Sequence, residues 1–195
     1  MGRSQRREEI IEVASRLFHS QGYAATTIRD IAEQAGLLSG SLYAHIQSKE
    51  DLLYEISCRG ADAFLTAITP IVTEAGTAEE KLRRALAAHA QVVADHLEAA
   101  TVFFHEWKAL SFERREKIQA KRDEYEVCWS QIIVSGMETG EFRQEDEKFI
   151  RLLLLSVANW MYEWYRPDGE LPPRKIADRY ADILLEGLAT KKKGG

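Results

Sequence analysis

The sequence predicts an all-α fold, and three observations predict it. Its charge is carried largely by Glu, Lys and Arg, good helix formers, within a chain that is 45% hydrophobic and 29% charged. Only 12 Gly and 4 Pro occur in 195 residues, too few for a turn-rich sandwich or barrel. Apolar residues recur at helical spacing in one segment after another, with no strand-like alternation and no internal repeat.

Each element can be justified in order. Ile10, Ile11, Ala14, Leu17 and Phe18 form an amphipathic stripe, and Gly22 ends it in the manner of a left-handed cap. Thr27 opens a second helix: its hydroxyl caps free amides and Asp30 complements the positive end. Ile28, Ile31, Ala32 and Ala35 form its stripe, and Gly36 breaks it. A short third helix is expected over about 38–46, with Leu42 and Ile46 on its buried side. Ser48 with Asp51 starts a fourth helix from Lys49 onward, with Gly60 and Pro70 as places where it bends. Thr77 and Glu80 make a capping box before a helix over 81–95. After a break at 96–98 a segment runs through Leu110, and Ser111 then caps a long helix that Gly140 stops. A single long helix is expected over 146–165, ended by Arg166-Pro167-Asp168-Gly169. Pro172 or Pro173 opens the last helix, which runs to about Leu188 before a solvated tail at 191–195.

Charge and composition narrow the function. The net charge is −5, from 26 basic and 31 acidic groups. Residues 1–50 are neutral: Arg3, Arg6, Arg7, Arg16, Arg29 and Lys49 balance Glu8, Glu9, Glu12, Asp30, Glu33 and Glu50. The whole excess of acid lies beyond residue 50, so any contact with a polyanion should come from placed groups near the N-terminus. Cys58 and Cys128 form no framework and read as small hydrophobes in a reducing compartment. The first residues lack a signal peptide's apolar stretch, and the greasiest run, 151–163, contains Ser156 and Asn159 and falls short of a membrane span. A cytoplasmic protein is expected. His105-Glu106 is a fragment of a zinc motif without its second His, and no Glu-x-x-His pair occurs, so neither a metal site nor a cofactor is expected. No nucleophile elbow, phosphate loop or dinucleotide fingerprint occurs, so an enzyme, including a helical metal-dependent one, is the disfavoured alternative.

Helix, Gly-containing turn and second short helix at 27–46 make a helix-turn-helix. The second helix should cross the DNA backbone with Thr27 and Arg29 near phosphate. The third should offer Ser39, Gly40 and Ser41 to base edges, small enough for close approach, with Tyr43, His45 and Lys49 toward phosphates.

The run Ala25-Thr26-Thr27-Ile28-Arg29-Asp30-Ile31-Ala32-Glu33-Gln34-Ala35-Gly36, then Ser39-Gly40-Ser41-Leu42-Tyr43 and Ser48-Lys49-Glu50-Asp51-Leu52-Leu53, closely resembles the TetR family of bacterial transcriptional repressors. The resemblance covers residues from about 6 to 55. It implies a homodimer that binds a palindromic double-stranded operator through an N-terminal domain (1–48), with an inducer-binding and dimerisation domain behind it (49–190). One departure stands out: Leu38 occupies the start of the third helix, where many members have Ser or Thr. Residues 37–43 and Asn159-Trp160-Met161-Tyr162-Glu163-Trp164-Tyr165-Arg166-Pro167-Asp168-Gly169 are similar to the subgroup controlling fatty-acid, phenylacetate or sterol degradation, which implies an acyl-CoA inducer.

An acyl-CoA needs an apolar tunnel and cations for its phosphates. Phe103, Phe104, Trp107, Trp129, Trp160 and Trp164 could line one, with Asn159 beside them. Arg122 and Arg166 are the cations expected at the ligand, and Arg114, Arg115, Lys117 and Lys121 are also within the candidate stretch. Aromatics at this spacing equally suit ordinary core, and the basic run equally suits a solvated face. A sensor of hydrophobic drugs controlling an efflux gene is the alternative within the family. The final helix (Ile176, Tyr180, Ile183, Leu184, Leu188) and its predecessor (Phe149, Leu152, Leu153, Leu154, Leu155) are apolar on more sides than one interior needs, which predicts dimerisation through both.

Overall fold

The computed structural model describes residues 3–187. The 191–195 tail, and Leu188 at the expected end of the last helix, lie outside the described residues. The helices are α1 (Arg3–Gln21), α2 (Ile28–Gln34), α3 (Ser39–Leu42), α4 (Lys49–Thr73), α5 (Ala78–Asp95), α6 (Leu97–His105), α7 (Phe112–Glu138), α8 (Glu147–Asn159), α9 (Met161–Trp164) and α10 (Pro173–Glu186), with a 3-10 turn at Trp107–Ala109. The described residues form two compact units, 3–66 with 95–125 and 67–94 with 126–187.

In the first unit, Ile10, Phe18, Ile31, Leu42, Leu52 and Ile56 are almost wholly buried. Gly22 (φ +83°) and Gly36 (φ +65°) take the left-handed conformation that ends α1 and α2. The Gly22 amide donates to Phe18 O at 3.0 Å, and the Leu37 amide reaches Ala32 O at 2.8 Å. The third helix is shorter than expected. Four residues are α-helical; beyond them the chain tightens, with Ala44 N–H to Ser41 O (3.2 Å) and His45 N–H to Leu42 O (2.9 Å). α4 runs through both Gly60 and Pro70, so neither ends it. A Cβ at Gly60 would lie 2.9 Å from the Phe103 Cβ, so that glycine serves the close approach of α6.

In the second unit, Leu82, Leu86, Trp129, Ile133, Leu154 and Met161 form much of the core. Thr77 and Glu80 make the expected capping box, at 3.0 and 3.2 Å. Asp146 caps α8 by accepting the Lys148 amide at 2.9 Å, and Pro173 sits in the first turn of α10. The single helix expected over 146–165 is two. Backbone bonding tightens at Trp160, where Glu163 N–H reaches Trp160 O at 3.1 Å. At this break Met161 is buried while Trp160 is exposed. Among the described residues no helix is long and apolar enough to cross a membrane.

Candidate nucleic-acid interface and ligand-binding residues

Thr27 Oγ1 accepts the Asp30 amide (3.2 Å) and the Asp30 carboxylate accepts the Thr27 amide (2.8 Å), closing the first turn of α2. The Thr27 amide and hydroxyl hold the Asp30 carboxyl below its ordinary range. Arg29, Ser39, Gly40 and Ser41 are all exposed, and Tyr43 is 56% exposed. His45 is half-buried, with its Nδ1 enclosed and without a hydrogen-bond partner. Lys49 points inward. Its ammonium donates to Tyr23 O and Thr26 O, both at 2.8 Å, and lies 4.2 Å from the Tyr23 ring centre. Lys49 therefore ties the α1–α2 turn to the start of α4. Arg6 does the same at the end of α2, donating to Ala35 O at 2.7 Å.

The next two residues of α4 grip the start of α7. Glu50 accepts the Ser111 amide at 2.9 Å, and that bond holds its carboxyl below the ordinary range. Asp51 accepts Arg114 Nη2 at 2.8 Å, and its own amide donates to Ser48 Oγ at 3.1 Å. The Arg114 guanidinium also lies 5.1 Å from the Tyr54 ring.

The structure brings four of the expected ligand residues together in the first unit. The Arg122 guanidinium lies 5.0, 5.9 and 5.1 Å from the rings of Phe103, Phe104 and Trp107. Phe64 and Tyr125 complete the cluster: Phe64 stands 5.9 Å from Phe103, 5.4 Å from Phe104 and 5.6 Å from Tyr125. Neither is a sequence-predicted ligand residue; the position of Tyr125, one helical turn beyond Arg122 on α7, is a signal that could have found it, whereas Phe64 lies on α4 with no such local mark. The other cations of this stretch are engaged at the surface: Lys117 with Glu113 at 2.8 Å, and Lys121 with Asp62. Arg115 is exposed.

The remaining expected ligand residues belong to the second unit. Trp129 is fully buried beside His89, ring centres 6.5 Å apart. His89 is 2% exposed, and burial pushes its pKa down to about 4 against a backbone hydrogen bond at Ala158. Asn159 Oδ1 is enclosed without a hydrogen-bond partner. Trp160 and Trp164 are 59% and 40% exposed, and meet Tyr162 and Tyr180 edge-on. Both lie at the surface of the single chain. Arg166 is exposed. Among the described residues no group of three or more His, Cys, Asp or Glu is placed to hold a metal ion.

The tight-turned helix pair with an exposed short second helix defines a DNA-binding regulator. A family model of bacterial regulatory proteins, tetR family, matches residues 10–56, and one of the tetracyclin repressor-like C-terminal domain matches residues 75–188. The chain belongs to the TetR family of transcriptional regulators. It is 31% identical over 191 residues to the HTH-type transcriptional repressor KstR2 of Rhodococcus jostii, spanning 97% of this chain and 94% of that one. The crystal structure of PfmR, a TetR family regulator from Thermus thermophilus, is 36% identical with a TM-score of 0.87, covering 93% of this chain and 99% of the other. The crystal structure of AibR in complex with isovaleryl coenzyme A and operator DNA is 29% identical with a TM-score of 0.84, covering 92% and 98%.

Proposed function

We propose that this protein is a dimeric repressor that reads a palindromic operator with α3 and releases it on binding an acyl-CoA thioester. What carries the reading is the likeness, over nearly the whole chain, to a regulator solved with both an acyl-CoA and operator DNA. The Arg122 cluster supports it, because a permanent cation laid on aromatic rings offers the two chemistries a thioester presents: anionic phosphates and an apolar acyl chain. On this reading Ser39, Gly40 and Ser41 face bases; Thr27, Arg29, Tyr43 and His45 meet the backbone; and Lys49 holds the turn that aims them.

Dimerisation uses the second unit. Phe149, Leu152 and Leu153 of α8 and Ile183 of α10 are 69%, 46%, 55% and 50% exposed, an apolar surface no monomer needs. Paired about a two-fold axis, two copies set their heads roughly 34–36 Å apart, one turn of DNA. The test begins with selecting a duplex from a random library. That duplex is then titrated with acyl-CoAs of several chain types, the free acids and CoA alone. Release by thioesters only is the expected result. Release by an unrelated hydrophobic drug and by no thioester would place the protein with the drug sensors of the family.

A further inference from the structure

Leu38 is 80% exposed, more than any other large apolar residue described in the chain. It immediately precedes α3, with extended backbone (φ −74°, ψ 141°) and no side-chain hydrogen bond to the helix amides. Ser, Thr or Asp would satisfy one of those amides here, so leucine forgoes local stabilisation and keeps an apolar side chain in water as well. Nothing within the folded unit rewards either choice. Around it the surface is low: Ser39, Gly40 and Ser41 are all exposed and small. Gly40 has no positive φ, and a Cβ built on it meets nothing within 4 Å. Its bareness is therefore not required by the fold. A glycine the fold does not need, beside a leucine the fold does not cover, points to a partner that comes close to the backbone at residue 40 and receives the side chain at residue 38.

We infer that Leu38 is a specificity-determining residue that packs on the C5 methyl of a thymine in each operator half-site. The inference rests on the reading of α3 as the DNA-reading helix. The chemistry commits it to that base: across the major-groove edges of the four base pairs, the thymine methyl is the apolar group on offer, the rest being hydrogen-bond donors and acceptors. A branched aliphatic side chain without a donor or acceptor can select only that.

Deoxyuridine differs from thymine by this methyl alone, so the experiment replaces each thymine of the selected duplex by deoxyuridine, one symmetric pair at a time. The expected result is one pair of positions where wild-type affinity falls roughly tenfold, about threefold per half-site, with every other position near unity. The Leu38→Ala variant, which keeps its fold because the side chain is exposed, should bind the thymine duplex more weakly by a similar factor and no longer distinguish it from the deoxyuridine duplex. The inference is overturned if wild type binds the duplex tightly yet responds to no substitution, or if Leu38→Ala keeps the thymine preference. A selected duplex without symmetric thymines overturns it equally. If wild type selects no duplex at all, the reading of α3 as a DNA-binding helix fails, and this inference with it.

Discussion

Around α3 the first unit exposes Ser39, Gly40 and Ser41 between a projecting Leu38 and Tyr43, whereas the second leaves a broad apolar surface on α8 and α10. Both surfaces are uncovered in a single chain, and the proposed function gives them different partners. A polyanion with polar edges calls for low relief, hydroxyls and backbone amides. A second copy calls for matched aliphatic area, and α8 supplies it while also burying Leu154, Leu155 and Ala158 on its inner side. In the second unit the apolar surface continues into a cavity of about 330 Å³ lined in part by Ile133, Phe142, Leu153 and Leu184. The contrast shows that exposed apolar surface carries no meaning by amount alone. On the reading proposed above, the single leucine before α3 meets a base, while the area on α8 and α10 meets a second copy.

The comparison breaks most visibly on α8. Replacing Phe149 and Leu152 together by Glu should leave the fold intact, since both are exposed, and yield a monomer by light scattering. Operator affinity should then fall at least about a hundredfold, because the second half-site no longer binds intramolecularly. A double variant that stays dimeric would remove α8 from the interface.

The second unit also holds a buried histidine whose titration makes stability depend on pH. His89 is buried with its pKa lowered from 6.5 to about 4. As pH falls, the unfolded chain takes up that proton first, so stability is complete above pH 6.5 and declines between 6.5 and 4, by at most about 3 kcal/mol. Thermal melts at pH 7 and 4.5 should show a smaller loss in His89→Gln than in wild type. Equal losses would assign the acid sensitivity to other groups.

Gly40→Ala sharpens the comparison from the other side. A methyl there meets nothing in the fold, and Ala is the better helix former, so thermal stability should hold or rise by up to about 1 kcal/mol. Operator affinity should nevertheless fall roughly tenfold, since the added methyl stands where the DNA must approach. Loss of stability with affinity intact would refute the assignment.

The smallest effect is expected at Lys49. Its two carbonyl bonds predict that Lys49→Ala lowers the stability of the head by about 1–2 kcal/mol. The salt dependence of operator binding should hardly change. A slope lower by about one would instead make Lys49 a phosphate contact.

Local signals were legible in the sequence, and distant ones were not. Thr27 with Asp30, Thr77 with Glu80, and Gly22, Gly36 and Gly140 each announce an element boundary within four residues of themselves, and the structure puts boundaries there. The break at Trp160 has no Gly or Pro to mark it; burial of Met161 decides it, and that is a tertiary matter. Trp160 and Trp164 have core spacing yet face outward, because periodicity reports that a helix has an apolar face and not which partner covers it. Lys49 reads as a phosphate contact until its carbonyl partners, more than twenty residues away, are seen. Arg114 and Asp51 are 63 positions apart, a pairing no local pattern encodes.

Three consecutive residues at the start of α4 hold three separate places: Lys49 the α1–α2 turn, Glu50 the Ser111 amide, Asp51 the Arg114 guanidinium. Successive residues on a helix point about 100° apart, so these grips depend on counting as much as on chemistry. A point substitution removes one of them. A single residue inserted between Asp51 and Leu52 would turn all three side chains by about 100° relative to the rest of α4 and so disturb every grip at once. The chain should therefore accept most residue changes across this junction more readily than any change in its length, and natural variation here should run to exchanged side chains and almost never to gaps.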